Sequence, residues 1–439
     1  MTILLLAAGL LSITNGIGPW MVRADLIRPS PSDNGDAVSL SNPAGSRWLE
    51  QPDAALYCLL PESRPRPGSV HRAKADYWLG WPVATRAVSD ALWLALLALA
   101  LGAGRVSRPI AAARLLFAAL LGLALLGALK AITHGRWLEL LVGGLALMPW
   151  CLSVIGRALA IDRVRHHFAL VCVFLLAFQG LLAPSEIQSD MSPYGTQLLG
   201  LELHRLVGTF DLPVAIGVFS AVTWAAALQW AGFTTRYMFF LSALVAIVLL
   251  ASGSATGWAA WLAAVSNAAL LRTRPKPRRI LLALALPCTI ALWVALPVLT
   301  GRADVHDSLW GRILPAYQFS QMHLQWSDSL FGYRFGAGTQ NFEPLLYAKQ
   351  ISLAPNIHPP TDSLPMVLFW QTGLVGVLSA YGLMLLALWR DPDSRPVGAA
   401  LVVGSIALSV GEQLLLGIAL ALWLSRALNA DREPPSNQS

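Results

Sequence analysis

Polar and apolar positions in this chain are sorted into long blocks. Windows of about 17 to 25 predominantly apolar residues begin near positions 3, 87, 110, 136, 167, 207, 237, 254, 280, 363, 396 and 412. A helix of that length crosses the roughly 30 Å hydrocarbon core of a bilayer. The pattern predicts an all-α polytopic membrane protein with about twelve transmembrane helices. The first window, Thr2 to Trp20, has the length of a signal peptide. It lacks a basic start and an A-x-A exit, so it reads as a helix.

Composition supports this reading. The 439 residues are 56% hydrophobic and 13% charged, against about 25% charged in soluble domains. A chain so poor in charge cannot cover a water-facing surface. The net charge of +7 raises the question of nucleic acid. The basic residues, however, sit in short clusters between apolar runs, the pattern of loops that face an anionic leaflet. Of the cysteines Cys58, Cys151, Cys172 and Cys288, three lie in apolar runs, and no CxxC spacing occurs. A metal cluster or disulfide framework is not expected. No G-x-x-x-x-G-K-[ST] loop is present to drive an ATP pump.

Charge also orients the chain. Arg272, Arg274, Lys276, Arg278 and Arg279 share one short loop, which is assigned to the cytoplasm. Counting outward places the loops of Arg105 and Arg108, of Arg157, Arg163 and Arg165, and of Arg390 and Arg395 on that same side. The tail after Arg426 joins them, so both ends are inside. Residues 22–86, 185–206 and 301–361 fall outside. The first of these is basic, but long loops cross regardless of charge. Two regions result: residues 1–200, N-terminal helices with the external loop 22–86, and residues 201–430, which hold the external loop 301–361.

The stretch from Gly301 to Gly376 is the richest in candidate chemistry. It runs through Ser308-Leu309-Trp310-Gly311-Arg312, an amphipathic segment ending at Trp326, and Ser329-Leu330-Phe331-Gly332. A glycine-rich turn follows, Gly336-Ala337-Gly338-Thr339-Gln340-Asn341-Phe342, then His358-Pro359-Pro360-Thr361-Asp362-Ser363. The next helix opens at Leu364-Pro365 and carries Gln371-Thr372-Gly373-Leu374-Val375-Gly376. Upstream stand His204-Arg205-Leu206-Val207-Gly208-Thr209-Phe210-Asp211-Leu212-Pro213 and Ser252-Gly253-Ser254-Ala255-Thr256-Gly257.

In this order the motifs resemble those of the O-antigen ligase and O-antigen (exopolysaccharide) polymerase superfamily. The family shows an "R-x-x-G-T-F" element, an "S-R-G" element and a loop arginine. An "LxGxGxxNF"-like turn, an "HN" or "DN" pair and an "xGLxG" helix follow. The likeness covers roughly residues 200 to 425, and the arginine of "S-R-G" is missing here. It implies a GT-C-like glycosyltransferase fold with a large periplasmic loop, in a bacterial inner membrane. The implied activity is metal-independent, inverting transfer of a glycan from undecaprenyl diphosphate to an acceptor hydroxyl. That acceptor is another lipid-linked glycan for a polymerase, or lipid A-core for a ligase. No cofactor is implied.

The residue chemistry accords with that expectation. A departing diphosphate needs cations, and guanidinium donates to phosphate in pairs without losing its charge. Arg205 and Arg312 are the diphosphate-binding candidates, with Arg302 and Arg334 behind them. His358 and Asp362 are the catalytic candidates for activating the hydroxyl. Counting back from Gly373, the family's histidine position falls near Asp362, and His358 lies four residues early. That displacement tilts the expectation toward a polymerase. Aromatic faces for sugar rings are available at Trp310, Tyr317, Trp326, Tyr333, Phe335 and Tyr347.

Each residue also has a plainer reading. Arg205 is placed to snorkel at the start of a span, Arg312 to solvate an external helix, and Asp362 to cap the helix at Leu364. Asp211 and Glu412 lie in or near spans, where charge is costly. Glu412, placed in the inner half of a hairpin, reads as structural. Gly332 to Gly338 reads as backbone punctuation, and Asp391-Pro392-Asp393 as a cytoplasmic turn. A lipid or solute transporter, the alternative from another class, calls for inverted repeats, broken helices and paired intramembrane charges. The sequence displays none of these clearly.

Overall fold

A computed structural model of the chain describes residues 95, 109–134, 137–155, 162–188, 195–198, 201–204, 206, 210, 213–272, 325–338 and 363–429. The spans expected near 3 and 280, all of that near 87 except Ala95, and the external segment 22–86 lie outside the described residues.

Helices rise where the apolar windows predict them. They are α1 (Ala111–Thr133), α2 (Trp137–Ile155), α3 (Asp162–Gln188), α4 (Pro213–Gln229), α5 (Thr235–Ser252) and α6 (Ala255–Arg272). A short external helix, α7 (Trp326–Phe331), precedes α8 (Leu364–Arg390), α9 (Arg395–Ala407) and α10 (Leu414–Ala427). The described residues depart from an all-α reading in one hairpin, β1 (Gly195–Leu198) paired antiparallel with β2 (Leu201–His204). Four segments are long and apolar enough to cross a bilayer: Ala111–Thr133, Asp162–Pro184, Thr235–Ser252 and Leu364–Arg390. Shorter apolar helices fill the bundle between them. The chain is a helical membrane-embedded protein.

Local sequence sets the boundaries. Ser363 and Ser394 stand at the N-cap positions of α8 and α9, each followed by a proline in the first turn, where a missing N–H costs nothing. Gly253 ends α5 in the left-handed region at φ 55°, and its N–H donates to Leu249 and Leu250 carbonyls.

The packing sorts helices that look alike in sequence. α4 is buried along almost its whole length, whereas α5 turns Tyr237, Phe239, Phe240 and Leu250 outward, each more than 60% exposed. Apolar side chains bared on that scale suit lipid and not water. Where α4 crosses α6, a Cβ on Gly257 would lie 2.7 Å from the Gly217 Cα. Two glycines thus let the backbones touch, the close approach that drives helix association where lipid offers no hydrophobic force. Polar ties join neighbours: Trp224 Nε1 donates to Ser242 Oγ at 2.8 Å, and Tyr381 Oη pairs with Ser405 Oγ at 2.7 Å. Each is worth about 0.6 kcal/mol in a bilayer.

The loops segregate to two ends. At one, Ile110 N–H donates to the Leu428 carbonyl, Trp230 Nε1 donates to Ser394 Oγ, and Arg426 faces Asp162, Asp391 and Asp393. At the other, Leu206 N–H donates to the Ala251 carbonyl, Ser363 Oγ donates to the Ile406 carbonyl, and Phe335 lies against Gly127 and Gly143. The alternation of chain direction read from the sequence is therefore kept through every described helix.

Candidate functional site

The feature that departs most from a plain bundle lies at the second end. α8 is two helices in line, broken at Gly373, whose φ of 67° and ψ of −172° are non-helical. That region of backbone space is open essentially only to glycine. One turn before the break, the Trp370 carbonyl accepts from the N–H groups of Tyr333 at 2.9 Å and Arg334 at 3.1 Å. α7 and the turn after it are thus stitched into the gap.

Two glycines make the stitch possible. A Cβ on Gly373 would collide with the backbone of Leu330 and Phe331, and one on Gly332 (φ 100°) with the backbone of Gln371 and Thr372. The turn then drives inward. Phe335, Gly336, Ala337 and Gly338 are all buried, with Gly336 and Gly338 at φ 83° and 75°. Phe335 fills the space over α1 and α2, where a Cβ on Gly143 would sit 2.6 Å from the Gly336 nitrogen. Ala337 packs on Trp370, bordered by Tyr333, Met366 and Phe369. Gly332 to Gly338 is backbone punctuation as read, with three glycines at positive φ, and its last four residues form a buried wedge.

Described residues of two further motifs lie at the same end. Ser252-Gly253-Ser254 forms a buried turn closing on α4, where a Cβ on Gly217 would lie 2.7 Å from Ser254 Oγ. Leu206 is tied to the Ala251 carbonyl just before that turn. Ser363 is 5% exposed and binds the end of α9 through its hydroxyl. The N-cap position of α8 is Ser363, one residue after Asp362.

Arg205, Arg312, His358 and Asp362 lie outside the described residues, as do Asp211 and Arg302. Arg334 is described and half-buried within the stitch. Glu412 is corrected in place. It sits in the α9–α10 turn, at the end that carries Ser363 and the wedge, and its Oε1 accepts from Ser409 Oγ at 3.0 Å. The neighbouring Gly411 abuts the Ala146 carbonyl and Leu364. The broken helix, which the sequence did not reveal, is now present at Gly373. Gln371 is 2% exposed, and among the described residues neither of its side-chain polar atoms has a hydrogen-bond partner. Its only signal in the sequence is an amide inside an apolar run.

Among the described residues no group of three or more His, Cys, Asp or Glu is arranged to hold a metal ion. Comparison with family models, curated proteins and solved structures finds no match to this chain.

Proposed function

We propose that the protein is a glycan polymerase, or an O-antigen ligase, acting at the periplasmic face of a bacterial inner membrane. It takes a glycan from undecaprenyl diphosphate and passes it to an acceptor hydroxyl, that of a second lipid-linked glycan in the polymerase version or of lipid A-core in the ligase version. The observation that carries this reading is the interlock of two motifs of the sequence resemblance, the turn through Gly332 to Gly338 and the break at Gly373. Segments far apart in the chain and selected only by likeness to one family lie in backbone contact. Leu206, a described residue of the "R-x-x-G-T-F" piece, is bonded to Ala251 beside the "S-R-G"-like turn at the same end.

Sidedness is supported by charge. Arg163, Arg165, Arg390, Arg395 and Arg426 stand at the end away from the wedge, where a positive-inside topology puts the cytoplasm. On this reading Arg205 and Arg312 hold the diphosphate, whose departure supplies the driving force without ATP. Asp362 or His358 accepts the proton of the attacking hydroxyl.

Purified protein in lipid, given a polyprenyl-diphosphate-linked glycan, is expected to transfer it. Arg205→Ala and Arg312→Ala are each expected to cut that rate by roughly a hundredfold, the scale on which lost charge-assisted contacts to a transition state are felt. Full activity in both variants removes the proposed diphosphate site. Deleting the gene separates the two versions: a polymerase mutant accumulates single repeat units, whereas a ligase mutant keeps long lipid-linked chains.

A transporter is the second reading, favoured by one observation, the discontinuous α8. Uptake of lipid-linked glycan or solute into vesicles without any transfer decides for it.

A further inference from the structure

Two large apolar side chains stand bare in a segment that the sequence reading places in a water-facing loop. On α7, Trp326 is 76% exposed and Phe331 51%, while Ser327, Asp328 and Ser329 between them are half-buried. The Asp328 carboxylate turns back to accept the Gln325 N–H at 3.2 Å, closing the capping box of this short helix. Water selects the reverse arrangement, with serine and carboxylate outward and aromatic rings covered.

The height of α7 along the bundle accounts for the reversal. The backbone of its last residue, Phe331, abuts Gly373, and the turn that follows lays Phe335 against Gly127. At 1.5 Å per residue, Gly373 stands about 24 Å along α8 from Trp389, and Gly127 about 24 Å along α1 from Ala111. Two helices thus agree on one level for the stitch. α1 continues past that level for about 9 Å, and Leu129 and Ile132 are exposed there. Such side chains suit lipid, so the bilayer reaches as high as the stitch. Below it, Leu374, Leu378 and Leu385 form one exposed stripe on α8 that ends at the exposed Trp389. An apolar band of this length, edged by aromatic residues, is the pattern of a lipid-facing surface with an interfacial belt at each boundary. α7 supplies the aromatic edge beside the break.

We infer that α7 is an interfacial helix, with Trp326 and Phe331 seated in the headgroup–acyl boundary of the leaflet at the wedge end. The partner of this face is phospholipid, which takes an aromatic ring at the level where apolar chains meet polar heads. The loop read as external thereby returns to the membrane, and Trp326, a sugar-face candidate by sequence, is assigned to lipid. The inference rests on the membrane-embedded fold and holds for transferase and transporter alike.

The test uses the full-length protein, its native cysteines replaced, in nanodiscs of phosphatidylethanolamine and phosphatidylglycerol. Each sample carries one nitroxide, on Trp326→Cys, Phe331→Cys, Leu378→Cys or Asp393→Cys. Collisions with oxygen, which concentrates in lipid, are compared with collisions with a nickel chelate, which stays in water. At Trp326 and Phe331 the oxygen-to-nickel ratio is expected to exceed that at the exposed Asp393 severalfold and to approach that at Leu378. A ratio as low as that of Asp393 at either position puts α7 in water and overturns the inference. Loss of both collisions with spin–spin broadening, the mark of a second copy seated on this face, also overturns it. Where a variant fails to fold, the unmodified protein decides, in nanodiscs whose acyl chains carry a photoreactive diazirine. Adducts on Trp326 or Phe331 support the inference, and adducts on Leu378 with neither aromatic labelled overturn it.

Discussion

Replacing Gly373 with alanine is expected to expel the wedge from the bundle. The new methyl group meets two obstacles at once. The backbone there, at φ 67° and ψ −172°, lies in a region essentially closed to residues with a Cβ, at a cost of roughly 1 to 3 kcal/mol. The Cβ also collides with the Leu330 carbonyl and the Phe331 nitrogen, main-chain atoms with no rotamer to escape into. Overpacking of this kind adds about 1 to 3 kcal/mol. Either α8 straightens into a continuous helix or the Leu330–Gly338 segment withdraws. Both outcomes break the bonds from Tyr333 and Arg334 to the Trp370 carbonyl.

A cysteine at Ala337, 3% exposed in the wedge, reports the event. With native cysteines replaced, Gly373→Ala is expected to speed its labelling by a membrane-impermeant maleimide at least tenfold, since roughly 1.4 kcal/mol is a factor of ten. Gly122 and Gly144 supply the contrast. A Cβ at either meets nothing within 4 Å, so alanine there gains up to about 1 kcal/mol of helix propensity and leaves labelling slow. Equal labelling in all three backgrounds rules out the glycine interlock as what holds the wedge. Loss of glycan transfer in Gly373→Ala alone then extends the result from packing to function.

The helix starts were legible in the sequence because lipid imposes one requirement, a long apolar run, and that is readable from composition. The start expected near 363 falls at Leu364, that near 396 at Arg395 and that near 237 at Thr235. The faces were not legible. α4 and α5 are both apolar all round, yet one is central and the other bares Tyr237, Phe239 and Phe240. In a membrane, periodicity no longer marks the buried side, and the choice is made by small residues such as Gly217 and Gly257. The break at Gly373 was hidden for a related reason. Hydropathy runs on through Leu374, no proline interrupts it, and the cause is the backbone of Leu330 and Phe331, remote in the chain. The motif likeness singled out Gly332 and Gly373 without showing that the backbones beside them meet. Of the candidate site it yielded residue types and order; the four named side chains fall outside the described residues.

Replacing Arg426 with methionine is expected to cost about 3 kcal/mol, most of it through one neighbour. The guanidinium faces three carboxylates: Asp391 at 3.5 Å, Asp162 at 3.5 Å and Asp393 at 3.9 Å. Burial ranks them. Asp162 and Asp393 are 87% and 64% exposed, so water screens those pairs to well under about 1 kcal/mol. Asp391 is fully buried at the end of α8. Its other oxygen receives the Ser394 N–H at 3.4 Å, the turn that the sequence reading assigned to Asp391-Pro392-Asp393. Removing the arginine strands a buried negative charge, which is worse than never having built the pair. Asp393→Asn is therefore expected to change unfolding in detergent by no more than about 0.5 kcal/mol. Adding Asp391→Asn to Arg426→Met should restore most of the loss, because the neutral amide keeps the bond to Ser394 without the charge. If Asp393→Asn proves as costly as Arg426→Met, or the double variant recovers nothing, Arg426 acts through its exposed pairs and the buried carboxylate is a bystander.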